Sequence, residues 1–353
     1  MIFRSLKAKL DAGYNRLNLW RHIESSRSQA RRITKELLDS GYRKVPKEYS
    51  STKIEEYALR AFGHKGYATW LELYALIHGQ FESGWIPDDF YRTNLINALN
   101  PPQYRCISML KSFDSAVFGL NCVIPLFCSR DGRLIGGGRL LSLADCEEIL
   151  SRHEGEIVVK VDAGASATST KFVSARSLDL KEIVASKKNL VFQAPFEQHE
   201  AYARLNPSSV NTIRILTFLD EQGPPRVLYT KGRFGAEGSR VDNTRVGGRA
   251  FFFDDESRVS DFCHDSVGRK FSFPVKCTEA FPGVSLARDC AIRLHVLVPF
   301  LRIVAWDFVV DREGTARLLE WNTRSPDVWV NEALVGPLWP SWCAQAPQAL
   351  GKR

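Results

Sequence analysis

Asp307, Glu320 and Asn322 carry oxygen donors at a spacing that can bring all three to one place. They lie in two apolar runs, Arg302-Ile-Val-Ala-Trp-Asp307-Phe-Val-Val310 and Ala316-Arg-Leu-Leu-Glu320-Trp-Asn322, separated by Asp311-Arg-Glu-Gly314-Thr315. Valine, isoleucine, leucine and tryptophan favour strands, and the polar segment with its glycine is a turn signal, so the pattern predicts a β-hairpin. A turn centred on Glu313 and Gly314 sets Asp307 directly opposite Glu320. Side chains alternate along a strand, so Asn322 shares their face. Two carboxylates at cross-strand distance repel unless a cation lies between them or one takes a proton. Two carboxylates and an amide carbonyl are hard donors of the kind Mg²⁺ accepts, with positions left for phosphate oxygens. The competing reading is an exposed edge hairpin with unrelated acidic residues. Val309, Val310, Leu318 and Leu319 flank the trio and argue for a sheltered one.

Cations precede this hairpin along the chain. Glu156-Ile-Val-Val-Lys160-Val-Asp162 reads as a strand ending near a lysine, followed by Ala163-Gly164-Ala-Ser166-Ala-Thr168-Ser169-Thr170, a loop of small and hydroxyl residues. A lysine beside exposed backbone N–H groups can hold phosphates, although the single glycine rules out a Walker A loop and a surface turn explains the segment equally well. Lys111, in Ile107-Ser-Met-Leu-Lys111-Ser-Phe, is by itself an ordinary surface lysine. Val191-Phe-Gln193-Ala-Pro-Phe196-Glu-Gln-His199 leaves a strand through Pro195, the form of a hinge between lobes. Arg214 sits in the strongly β-forming Asn211-Thr-Ile-Arg214-Ile-Leu-Thr-Phe, where an arginine is costly unless it meets an anion or a cleft. Lys231, Arg233 and Arg245 follow, with Asp242, Asn243 and the pair Gly247-Gly248. These cations can neutralise a triphosphate or a carboxylate, and the glycines let backbone approach a ligand. Each also has a plainer reading as hairpin decoration.

The elements that must position these groups can be read from periodicity. From about residue 5 to 98 the pattern is helical, with runs at Ser26–Asp39, Lys53–Phe62, Tyr67–His78 and Asp88–Leu99, and Asn100-Pro101-Pro102 ends it. Strands then alternate with short helices, at Cys122–Cys128, Gly155–Asp162, Asn189–Pro195, Asn211–Leu219, Arg226–Lys231, Arg249–Phe253 and the hairpin. The expected fold class is α+β, with two lobes around a cleft behind an N-terminal helical region. The expected domains are 1–100 helical, 101–195 a small lobe, and 196–345 a large lobe carrying the hairpin.

Composition excludes several function classes. The 353 residues are 44% hydrophobic and 25% charged, which suits a packed globular protein of two or three domains. No apolar run approaches the roughly 20 residues of a membrane span, and the first residues lack a signal-peptide core, so the expectation is a cytoplasmic protein without a transmembrane segment. The eight cysteines form no C-x-x-C pair and are expected to be reduced, mostly buried thiols. The net charge of +8 favours anionic partners, and the basic residues gather in the first 50 positions. A solvated helical face accounts for them, and no groove element or interleaved aromatics point to nucleic acid.

The order of these fragments resembles the ATP-grasp superfamily, and most closely its sugar-transfer-associated group. The resemblance rests on Gln198-His199, Ser209-Val-Asn-Thr-Ile-Arg214, Arg233-Phe-Gly with Val241-Asp-Asn243 and Gly247-Gly248, Trp306-Asp307, and Glu320-Trp-Asn322. It covers about Lys111 to Asn322. Two α+β lobes clasping Mg-ATP are what it implies. Lys111, Lys160, Gln193, Phe196 and Lys231 would then serve the nucleotide, Asp307, Glu320 and Asn322 would hold Mg²⁺, and Arg214, Arg233 and Asn243 would face the γ-phosphate or the attacking carboxylate. Four departures stand out: the glycine-poor loop after Lys160, Ala194 in place of an acidic residue, Leu110 in place of an aspartate, and Asn331 in place of a glutamine on the acceptor side.

The activity implied is ATP- and Mg²⁺-dependent carboxylate–amine ligation through an acylphosphate, on small-molecule substrates with a sugar or polysaccharide connection. Two alternatives use the same residues: a small-molecule kinase, and a nucleotide- or glycan-binding scaffold without turnover.

Overall fold

A computed structural model describes residues 2–43, 51–163, 170–221, 223–273 and 279–339, with side chains from Trp20 onward. The expected phosphate loop, 164–169, lies outside the described residues, as do Cys277 and Cys343. The other six cysteines are free thiols, five of them buried.

Contacts divide the chain into two units, one of them residues 1–101 with 267–269 and 327–353, the other 102–266 with 270–326. The first is helical, with long segments at Ile2–Asp39, Ser51–Phe62 and Ala68–His78. Ala68–His78 is apolar almost all round and is buried at Trp70, Leu71, Leu73, Tyr74 and Ala75. It ends at Gly79, whose φ of +100° is the left-handed cap that glycine adopts without penalty. The predicted helix Asp88–Leu99 is helical throughout but loosens into a π-type turn over Tyr91–Leu95. Residues 327–339, grouped above with the large lobe, cluster with the helical unit. Their helix, Trp329–Val335, packs on Ala68–His78, with Trp329 against Trp70 and the Glu332 carbonyl accepting from Trp85 Nε1 at 3.0 Å. Among the described residues, no helix is long and apolar enough to cross a membrane.

The second unit holds two antiparallel sheets. Its strands in chain order are β1 Phe127–Arg130, β2 Arg133–Gly136, β3 Arg139–Leu141, β4 Glu156–Val161, β5 Thr170–Ser174, β6 Leu190–Gln193, β7 Thr212–Phe218, β8 Arg226–Phe234, β9 Arg249–Phe252, β10 Phe262–His264, β11 Lys270–Ser272, β12 Ile303–Val310 and β13 Ala316–Asn322. The six-stranded sheet runs β3-β2-β1-β6-β4-β5 and the seven-stranded sheet β11-β10-β9-β8-β7-β12-β13. This is the expected α+β body. Five strands had no sequence expectation, β2, β3, β5, β10 and β11, and all are short and include exposed or half-exposed positions. A strand that buries little has little apolar alternation to read.

β12 lies between β7 and β13 and is buried along its whole length, which is why it reads as a nearly continuous apolar run. Its back face enters the larger core through Val304, Trp306, Phe308 and Val310, against the helix Val284–Val296. Burying a side chain of that size contributes about 2 kcal/mol. Beneath it runs a closed polar chain. Trp306 Nε1 donates to Thr217 Oγ1 at 2.7 Å, Thr217 meets His295 Nδ1 at 2.7 Å, and His295 Nε2 meets the Leu301 carbonyl at 2.7 Å. Burial holds the imidazole down at about 4, so it is neutral, with Nε2 as donor and Nδ1 as acceptor.

The hairpin is present, and Asp307 pairs with Glu320 as expected, but the turn is not centred as expected. Near the turn the strands pair one residue out of that register, Phe308 with Leu318, Val309 with Arg317 and Val310 with Ala316. A β-bulge between Asp307 and Phe308 leaves Leu319 as the extra residue and restores the register at the site. Gly314, at φ +84°, closes the tighter turn.

Replacing Thr217 by valine strands two buried polar groups, Trp306 Nε1 and His295 Nδ1. We expect a loss of about 2 kcal/mol, read as a fall in the denaturant midpoint of this unit.

Candidate functional site

The two sheets face each other across a cleft with a cavity of about 220 Å³, whose lining includes Lys111, Lys160, Gln193, Phe196, Arg233, Glu320 and Asn322. The route to each position is local. The bulge at Leu319 lets two successive side chains, Leu319 and Glu320, line the cleft, while Leu318 turns into the core behind. Lys160 lies near the end of β4, directly across from Val191 of β6 and beside the hinge strand that ends at Gln193. Gln193 is buried and donates from Nε2 to the Val123 carbonyl at 3.3 Å. Val123, Val158, Met109 and Leu319 give this end of the cleft an apolar lining.

Asp307 lies behind the cleft wall at 0% exposure, and arginines hold it. Arg214 donates to both its oxygens, through Nε to Oδ1 and through Nη2 to Oδ2 at 2.5 Å. Arg233 Nη2 reaches Oδ2 at 3.2 Å and Asp242 Oδ2 at 3.0 Å, and Asn322 Nδ2 lies 3.5 Å from Asp307 Oδ2. Burial would raise the Asp307 carboxyl, but Arg214 and Arg233 outweigh it and hold the group down at about 2. Glu320 goes the other way: burial raises it first and the Asp307 charge adds to this, with Lys111 and Lys160 opposing. Burial also pushes the Lys160 ammonium down, Glu320 resisting and Lys111 contributing. Asp114 is raised to about 7, chiefly by burial, and accepts from Trp321 Nε1 at 2.9 Å.

The donor set fits a divalent cation. Glu320 and Asn322 open on the cleft, and the Asn322 N–H group turned toward Asp307 leaves its carbonyl oxygen for another partner. A cation there would relieve the repulsion that raises Glu320. Among the described residues no three His, Cys, Asp or Glu side chains gather as a metal cluster, so the candidate rests on two carboxylates and an amide.

Other residues named from the sequence fall elsewhere. Lys231 pairs directly opposite Arg214 but is buried, with its ammonium 5.3 Å from the Tyr229 ring centroid, and it does not line the cleft. Asn243 accepts from the Arg245 backbone N at 2.9 Å, which commits its side-chain oxygen to its own loop. Its neighbour Asp242 faces the cleft instead, accepting from Thr212 Oγ1 and Arg233. Buried Asn211 and half-buried Gln198 form a knot, Asn211 donating to the Tyr202 and Asn206 carbonyls and Gln198 accepting from the Asn211 backbone. Asp242, Thr212, Arg240, Phe172 and Arg324 line or adjoin the cleft, and the sequence assigned none of them a role. Thr212 was within reach, since it sits two residues from Arg214 on the same strand face.

A family profile described as sugar-transfer associated ATP-grasp matches residues 149–337, more than half of the chain. The chain belongs to the sugar-transfer associated ATP-grasp family. Lys111 precedes the matched stretch, so this ATP-grasp chain brings it to the cleft by a segment the family profile does not cover. No curated protein matches the sequence. Among solved structures the ATP-grasp chain is similar to the ATP-grasp ligase PsnB complexed with minimal precursor, at 15% identity over 72% of this chain and 63% of that one, TM-score 0.39. It is similar to the D-alanine-D-alanine ligase from Coxiella burnetii at 13% identity, covering 69% and 58%, TM-score 0.41, and to the D-cycloserine synthetase DcsG at 14%, covering 70% and 70%, TM-score 0.38. It thus spans less than two thirds of the first two.

The two carboxylates should respond oppositely to substitution. Asp307→Asn leaves Arg214 buried against a neutral group and should cost about 3 kcal/mol or more. Glu320→Gln removes a charge that burial and Asp307 disfavour. A raised folded value means Glu320 stabilises the protein below its unfolded pKa of about 4.3 and loses that contribution as pH rises through the folded value. Glu320→Gln should therefore raise the metal-free melting temperature at pH 7 and not at pH 4, which thermal scans at the two pH values would show.

Proposed function

We propose that this ATP-grasp chain is an ATP- and Mg²⁺-dependent carboxylate–amine ligase that forms an amide through an acylphosphate. The observation that carries the reading is the convergence, in one cleft between two sheets, of Lys111, Lys160 and Arg233 on the Glu320–Asn322 pair. The apolar end beside Gln193 and Phe196 suits a purine base, with Gln193 and the hinge backbone as its polar contacts. Lys111 and Lys160 then hold phosphate oxygens. Glu320 and Asn322, with Asp307 behind them, would hold Mg²⁺, which would supply charge neutralisation on the phosphates. Arg233, anchored by Asp242 and Thr212, is placed to stabilise charge on the transferring phosphoryl group as the carboxylate attacks in line. The amine displaces phosphate from the acylphosphate, and walls on both sides of the cleft keep water away. Positioning and electrostatics suffice, and no covalent nucleophile is required.

Lys231 and Asn243 contribute from a distance in this scheme, Lys231 through the field at Arg214 and Asn243 by shaping the loop that presents Asp242. Arg214 orients Asp307. Arg324 lines the cleft two residues beyond Asn322, is exposed, and forms no ion pair among the described residues. It is the group we assign to an anionic acceptor. The family description supports a sugar or surface-polysaccharide connection for that acceptor, and PsnB, the D-alanine-D-alanine ligase and DcsG are each named for ligation or synthesis.

The test is ATP consumption with Mg²⁺ and hydroxylamine over a panel of uronic acids and amino acids. Hydroxamate and inorganic phosphate are expected, lost in Glu320→Gln, with the acceptor KM raised about tenfold in Arg324→Ala. ADP with a stable phosphorylated product and no inorganic phosphate would make the chain a kinase. Absence of Mg-dependent ATP consumption with every acceptor would leave a binding scaffold.

A further inference from the structure

The residues 105–114 cross from one sheet to the other along the cleft, and both ends of the crossing are tied. On the seven-stranded side Thr323, next to Asn322, donates from Oγ1 to the Arg105 carbonyl at 2.8 Å, which leaves that oxygen to accept from Ser108 Oγ at 2.9 Å. On the six-stranded side Asp162, just past β4, accepts from the Ser112 backbone N at 3.0 Å and from Ser112 Oγ at 2.6 Å. The Ala163 backbone N donates to the Met109 carbonyl at 2.9 Å. Asp162 is 1% exposed, and its remaining partner is Arg130, 3.3 Å away, whose guanidinium lies 4.4 Å from the Phe113 ring centroid. A carboxylate so far from water needs every one of these donors.

What this carboxylate holds is informative. Lys111 is the residue before Ser112, and Lys160 lies two residues before Asp162. Both lysines line the cleft, and they are close enough for Lys111 to disfavour the charge on Lys160. Left to flexible supports, two ammonium groups would move apart, since like charges repel and each gains hydration by separating. Asp162 does not line the cleft and touches nothing that would bind there.

We infer that Asp162 is a positioning residue for nucleotide binding, which staples the turn carrying Lys111 to the strand end carrying Lys160 and presents both ammonium groups to the phosphates at one spacing. The inference rests on the ATP reading above. The repulsion is met in the folded protein before the ligand arrives, so the phosphates gain two cations without ordering either.

The test is calorimetric titration of the full chain with a non-hydrolysable ATP analogue and Mg²⁺. Ser112→Ala, which removes one hydroxyl contact, and Asp162→Asn should each weaken binding about tenfold. In a Lys111→Ala background the Ser112→Ala loss should shrink to near nothing, because Ser112 acts through that lysine. A purely structural role predicts the same loss with and without Lys111, and that result overturns the inference, as does wild-type affinity in both variants. Should Asp162→Asn fail to fold, Ser112→Ala decides alone. A wild-type chain that binds no analogue overturns the ATP reading and this inference with it.

Discussion

A single buried carboxylate organises the site. Asp307 is fully buried on β12, between β7 and the edge strand β13, and a charge in that position survives only if cations and donors surround it. Arg214 fills that need from one neighbouring strand, in direct register with Asp307, and Arg233 from the strand beyond. The arginines are satisfied in turn, Arg233 by Asp242 and Thr212. Glu320, opposite Asp307 on the remaining side, receives what is left of the field and is pushed toward its neutral form. The unequal pair is a direct result of where the arginines lie. Asp307 is matched by two arginines in contact with it, and Glu320, with Lys111 and Lys160 nearby, is the carboxylate that opens on the cleft.

The sheet works on two faces, and the bulge at Leu319 is what keeps them in step. Behind the sheet, Trp306 and Trp321 stack with ring centroids 5.7 Å apart, and the Thr217–His295 chain satisfies the polar atoms there. In front, the same strands carry the charged residues. Adjacent positions therefore serve unlike purposes: Trp306 anchors the core and Asp307 the site, Trp321 stacks in the core while Glu320 and Asn322 open on the cleft. A rigid apolar backing is what lets charged side chains be held in place within fractions of an ångström.

Much of this was legible in the sequence. The order of cations before a carboxylate hairpin, the pairing of Asp307 with Glu320, and the α+β alternation all follow from side-chain period and turn chemistry, which are local. The pairing came out right although the turn was misplaced, because the shorter turn and the bulge cancel. Lys231 and Asn243 were named by type and order, yet Lys231 is buried at Tyr229 and Asn243 caps its own loop. Asp242 beside it carries the contact to Arg233 that order alone did not assign. The edge strands β3, β5 and β11 were silent because they bury too little to impose a pattern.

The sequence by itself determined which residue types were available, in what order, and on which face of each strand, since those depend on neighbours one to four positions away. Only the tertiary structure decided which charges meet. Arg214 and Asp307 are 93 positions apart, and Ser112 and Asp162 are 50 apart. Whether a charge faces a ligand or another side chain is set by desolvation and by distance in space, and neither is written in local sequence.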